Sequence, residues 1–292
     1  MSSALLLTAC VACWVMDIIA APAEVSVTLL LTVVNAVVLM RLCYKTNMTR
    51  TLSLMPVLMY MLPVSVIPWL HHCWQGQLTC TALLVCDMQL IGTYRADNAS
   101  EQSFLGALLL CLGSLLCPEM ILLVPLLWIF FLVQQSLNIK VFLSSLIAVG
   151  VVAVYVGLAV WFWPELQNSI IVNPFGGRHL LSFTAENTAL AVAMSAALVF
   201  MVCAWARFSR ESISVQTYIT FGTIPLIVFV VLLVWQLDIM MIACMLLATL
   251  AMFSTHFFLV PQSLVRGVVF LAYLLVCYGY GIFSIYQSIS SI

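Results

Sequence analysis

The chain has 292 residues, 65% of them hydrophobic and only 7% charged, with a net charge of −1 and a mean hydropathy of +1.22. That balance excludes a water-soluble domain, which would have to expose large apolar patches. The missing basic excess excludes nucleic acid as a partner and a polybasic grip on anionic headgroups, so residues 1–292 read as one integral membrane domain whose solvent is the lipid bilayer.

A helix needs about 17 to 23 apolar residues to cross about 30 Å of hydrocarbon. Apolar stretches fall at 4–21, 25–43, 53–70, 78–94, 104–117, 119–135, 139–162, 186–206, 217–236, 239–259 and 267–287, of which 104–117 and 119–135 are short for a span. The predicted fold is therefore all-α, a polytopic transmembrane helix bundle of about eleven spans. At the start, Leu5 to Ala9 before Cys10 resembles a lipoprotein box, and Ala20-Ala-Pro-Ala23 resembles a signal-peptidase site. Neither has the Lys/Arg region that such signals require, which predicts an uncleaved first span.

The first two segments meet near Pro22, with Asp17 and Glu24 on either side. The third carries Pro56, Pro63 and Pro68, which predicts a kink. His71-His72-Cys73 follows as a wet interfacial loop; adjacent histidines do not readily reach one ion and no fourth ligand is apparent, so no metal is expected. The fourth segment holds Asp87. The fifth and sixth are parted by Pro118, and the ninth and tenth by Leu237-Asp238, each pair being a tight hairpin or a broken helix. Between the seventh and eighth lies the longest outer loop, about 163–185, with Pro164, Pro174, Gly176 and Gly177. It is the extramembrane element with most room for a site.

Eight of the nine Lys/Arg residues occupy alternate gaps: Arg41, Lys45 and Arg50, then Arg95, Lys140, Arg207 with Arg210, and Arg266, leaving Arg178 alone on the other side. The positive-inside bias places the N-terminus in the cytoplasm and the C-terminus in the periplasm of a cell inner membrane. Trp69, Trp74, Trp161 and Trp163 form an aromatic belt at the outer ends. Most of the eleven cysteines sit in apolar runs as small hydrophobes. On the non-cytoplasmic side Cys73 and Cys80 are the pair placed to form a bridge.

Few polar groups remain to carry chemistry. Asp87 is expected to face protein or water, since a central carboxylate costs about 2.5 to 3.5 kcal/mol in lipid. Ile91, Tyr94 and Arg95 share its helical face. It reads as a carboxyl held neutral or tied to a neighbouring helix, as a proton or cation relay, or as a residue nearer the end of a helix whose boundary lies elsewhere. Arg178 and His179, in Asn173-Pro-Phe-Gly-Gly-Arg-His179, have the guanidinium fork and the backbone access of an anion clamp for phosphate or carboxylate. Asp17 or Glu24 is then the candidate general base. The bland alternative is a loop arginine paired with a nearby acid. No cofactor motif is present.

Residues 84–160, from LLVCDMQLIGTYR through FLGALLLCLGSLLCPE to Leu137-Asn-Ile-Lys140 and beyond, resemble a family of uncharacterised multi-pass inner-membrane proteins of Gram-negative bacteria. The same glycine-hairpin-proline texture is similar to polytopic glycosyltransferases and polymerases that use polyprenyl-phosphate-linked sugars. That second resemblance implies an acidic base in the first outer loop, here Asp17 or Glu24, and a cationic diphosphate clamp, here Arg178. The first outer loop is only a few residues long, a departure from that pattern. Three functions stay open: a non-catalytic cell-envelope assembly or accessory component that contacts other membrane subunits, a lipid-linked saccharide enzyme or translocation factor, and a small-solute or proton-coupled transporter. The first is the leading expectation.

Overall fold

The computed structural model describes residues 3–46, 53–163, 185–234, 239–259 and 264–290. These form eleven α-helices and no strand: α1 Ser3–Ala20, α2 Pro22–Lys45, α3 Met55–Val66, α4 Trp74–Leu90, α5 Ser100–Ser114, α6 Leu123–Val133, α7 Ile139–Phe162, α8 Ala185–Trp205, α9 Ile213–Val234, α10 Ile239–Leu259 and α11 Leu264–Ser290. Each coincides with one predicted apolar segment. Four are long and apolar enough to cross a membrane, within Pro22–Lys45, Ile139–Phe162, Ile213–Leu232 and Met240–Phe258.

Proline accounts for the largest departures from the predicted boundaries. The segment 53–70 is not one kinked helix: Pro63 is carried within α3, but the helix stops at Val66, and Ile67 is extended before the 3₁₀ turn Pro68–His72. Pro68 lacks an N–H and its ring disfavours helical backbone at the preceding residue. The segment 119–135 likewise opens as a 3₁₀ turn, Pro118–Leu122, before α6. At the start of α7, Asn138 accepts the Val141 N–H at 2.9 Å and caps the helix.

Both ambiguous segment pairs fold back as hairpins. A side chain on Gly113 would meet Met120, and one on Gly106 would meet Leu127, so α5 and the chain after Pro118 run antiparallel. Tyr218 of α9 donates to the Met252 carbonyl of α10 at 3.2 Å, and Gly222 faces Phe253. With no apolar driving force between helices in lipid, such small residues let backbones approach and gain dispersion contact.

The core centres on α10, buried continuously from Ile242 to His256 and packed by α3, α4, α8 and α9. A second group, α2, α4, α5 and α7, extends from it side by side. Asp17, Glu24, His71 and Glu119 gather at one end of the bundle, hereafter the acidic end. Arg41, Lys45, Arg95 and Lys140 lie at the other, the basic end, where Lys45 Nζ donates to the Met88 carbonyl at 2.7 Å.

Candidate functional site at the acidic end

The turn after α3 brings three successive residues to three different neighbours. His71 is buried, and its Nδ1 donates to Asp17 Oδ2 at 2.5 Å. The Trp14 ring, one turn before Asp17 on α1, stacks on the imidazole at 3.8 Å between centroids. His72 points outward, 3.9 Å from Glu24, with both side chains nearly half exposed. Cys73 turns back toward Cys244 of α10. The expectation of a wet loop therefore holds for His72 and fails for His71, because Pro68 winds the chain into a 3₁₀ turn that tucks the first histidine under α1. Among the described residues no group of three or more His, Cys, Asp and Glu is arranged to hold a metal.

Burial lowers the His71 basicity below its ordinary value, and the Asp17 carboxylate and the carbonyls of Ser65 and Val64 pull only partly the other way. A carboxylate can only accept, so the neutral ring keeps its proton on Nδ1, aimed at Asp17. Nε2 is enclosed without a hydrogen bond. Asp17 is the accessible member of the pair, with its side chain 29% exposed. A carboxylate oriented by a buried imidazole can accept a proton from a hydroxyl brought to it. Glu24 stands apart beside His72.

Asp87 lies at the far end of α4 from this pair. It is buried, and its Oδ1 has no hydrogen-bond partner. Beside it is a cavity of about 10 Å³ lined by Leu42, Leu90, Thr217, Tyr218 and Met252, room for about one water. The expected common face with Tyr94 and Arg95 does not form, because α4 ends at Leu90. Arg95 instead donates through Nε to Gln135 Oε1 at 2.9 Å and lies over the Tyr94 ring. Arg178 and His179, the predicted anion clamp, lie outside the described residues, as does Asp238.

Sequence reasoning missed two features. One is a buried network joining α2, α3 and α4: Asn35 Nδ2 donates to the Gln77 carbonyl at 2.9 Å, Tyr60 OH donates to Gln77 Oε1 at 2.6 Å, and Thr81 Oγ1 donates to Asn35 Oδ1 at 2.7 Å. Its signal was present, since Thr28, Thr32 and Asn35 recur at helical spacing on the buried face of α2. The other is an apolar groove of about 450 Å³ between α3, α8, α10 and α11, whose walls include Val66, Ile67, Val199, Leu247, Leu250 and Val276. It arises from helices distant in sequence and had no local signature. Its α3 wall immediately precedes the His71 turn. Cys277 is part of its α11 wall and is near enough to Cys10, one turn before Trp14, to interact with it electrostatically.

The chain matches no protein-family model, no curated protein and no solved structure.

Proposed function

We propose that the protein is a multi-pass component of a bacterial inner membrane, with about eleven spans, a cytoplasmic N-terminus and a periplasmic C-terminus. In this reading the acidic end faces the periplasm, and the chain serves cell-envelope assembly as an accessory component that holds the tail of a membrane lipid. The observation that carries the reading is the apolar groove. It lies at mid-height on α10, a helix long and apolar enough to cross a membrane, where hydrocarbon rather than water is the surrounding solvent. A conduit for hydrophilic solute needs a polar path, and beside Asp87 there is room for about one water.

The test is lipid retention. Protein purified in mild detergent and analysed by native mass spectrometry should carry phospholipid, and Ala196→Trp, which fills the groove wall, should release it. Equal lipid occupancy in both would refute the assignment. Reporter fusions in the gap after Lys45 and in the stretch after Trp163 test orientation; a periplasmic signal from the first would refute it.

The Asp17–His71 pair favours a second reading, in which the tail belongs to a polyprenyl-phosphate-linked glycan and Asp17 is the base for glycosyl transfer. Asp17→Asn should then abolish product formation while leaving lipid occupancy unchanged. A wild-type envelope glycan profile in that variant would dismiss catalysis and leave the accessory role.

A further inference from the structure

We infer that Cys73 and Cys244 form a disulfide-exchange site that locks the wall of the apolar groove. The inference rests on the proposed orientation, which puts the acidic end in the oxidising compartment.

All eleven cysteines are thiols in this structure, but this pair is set apart by its geometry. A Cβ on Gly76 would lie 2.7 Å from Cys73 Sγ and 2.8 Å from Cys244 Sγ, so both sulfurs occupy the notch left by the missing side chain. The two thiols are close enough to interact electrostatically. The same notch brings the Met241 Cα to 3.3 Å from that position, so direct backbone packing of α4 on α10 holds the sulfurs together. Cys80, the other cysteine that the sequence places on this side, sits 3.5 Å from the Tyr60 hydroxyl, and Cys117 donates to Glu119 at 3.1 Å. Cys80 is one helical turn beyond Gly76 and shares its face of α4, but the sulfurs that border the Gly76 notch are those of Cys73 and Cys244.

The chemistry is thiol–disulfide exchange with a disulfide-bearing oxidant. Cys73 is 8% exposed and Cys244 fully buried, so Cys73 is the entry sulfur. Its thiolate attacks one sulfur of the oxidant, breaks that S–S bond and expels the first thiolate, giving a mixed disulfide. Cys244 then attacks the Cys73 sulfur, expels the second thiolate and closes the bridge. The two cysteine protons end on the two oxidant thiols, and the oxidant is reduced by two electrons. The bridge ties the turn before α4 to α10. Val66 and Ile67, just ahead of that turn, and Leu247, one turn beyond Cys244, are walls of the groove, so oxidation fixes its width.

The test treats the full-length protein in detergent with oxidised glutathione, blocks remaining thiols with N-ethylmaleimide and maps linked peptides. A Cys73–Cys244 peptide is expected, retained in Cys80→Ser and lost in Cys244→Ser. A Cys73–Cys80 or Cys73–Cys117 link, or glutathionylation of Cys73 without closure, would overturn the pair itself, and the wild-type map alone decides this if a variant fails to fold. The same blocking in intact cells should capture the bridge. Its absence there, despite formation in the purified protein, would overturn the proposal through the orientation on which it rests.

Discussion

Helices α10 and α7 are built from much the same apolar alphabet and are 21 and 24 residues long, yet they occupy opposite places in the bundle. Every residue of α10 from Ile242 to His256 is buried. On α7 only Val141, Ser145, Ala148 and Val152 are, one narrow stripe at helical spacing. Glycines record the difference. Gly76 and Gly222 lie on neighbours of α10 and hold its surface at close quarters, whereas Gly150 and Gly157 on α7 have no neighbouring atom within 4 Å of an added Cβ. In a lipid solvent apolarity does not choose which helix is central; close approach and interhelical polar contacts do.

The strongest way to break this contrast is Gly76→Ala. Its methyl would collide with two sulfurs and approach a backbone atom that a side-chain rotation cannot move aside. Overpacking of this kind costs about 1 to 3 kcal/mol. Thermal unfolding of the detergent-solubilised protein should show a clear loss, and an unchanged midpoint would deny that α4 and α10 meet at this point. Gly222→Ala should cost less, because the Phe253 ring edge it meets at 3.1 Å can tilt.

Next in size is the polar contact beside the same core. Tyr60→Phe removes the hydroxyl donated to Gln77 Oε1 at 2.6 Å. Interhelical hydrogen bonds in membranes average about 0.6 kcal/mol and reach about 1.7. The variant should lie in that range by reversible unfolding in bicelles, and an unaltered stability would mark the network as dispensable.

Local signals made most of the fold legible: apolar run length set the eleven helices, and Pro118 and Asp238 marked the hairpins. The breaks at Ile67 and before Leu123 were harder to read, because proline inside an apolar run fits a kink as well as a stop, and Pro63 and Pro68 took the two different outcomes in one segment. Of the candidate site, Asp17 and Glu24 were legible as acids near a turn. Their different partners were not, because burial of His71 depends on how α1 packs over the 3₁₀ turn. Cys244 stood only six residues beyond Asp238, which placed it at the acidic end, but its partner could be known only from the α4–α10 crossing.

That burial gives a pH test. Because burial lowers the folded-state pKa of His71 below its ordinary value of 6.5, the unfolded chain binds more protons between the two values. Stability contributed by the neutral ring is complete above about pH 6.5 and is lost as pH falls from there toward the lowered value. The unfolding midpoint should drop on acidification from pH 7.5 to 5, and His71→Gln should flatten part of that slope. A slope unchanged by the substitution would mean that the ring is not desolvated beneath Trp14.

The smallest expected effect sharpens the contrast from the other side. Gly150→Ala and Gly157→Ala on α7 add a methyl where nothing lies within 4 Å, so no overpacking opposes them. Removing a mid-helix glycine should be neutral or stabilise by about 0.5 to 1 kcal/mol. The same substitution would then have opposite signs on the two sides of the bundle, with helix propensity deciding at α7 and steric exclusion at Gly76. A loss at Gly150 as large as that at Gly76 would require a surface packed against the outer face of α7, and would remove that helix from the periphery.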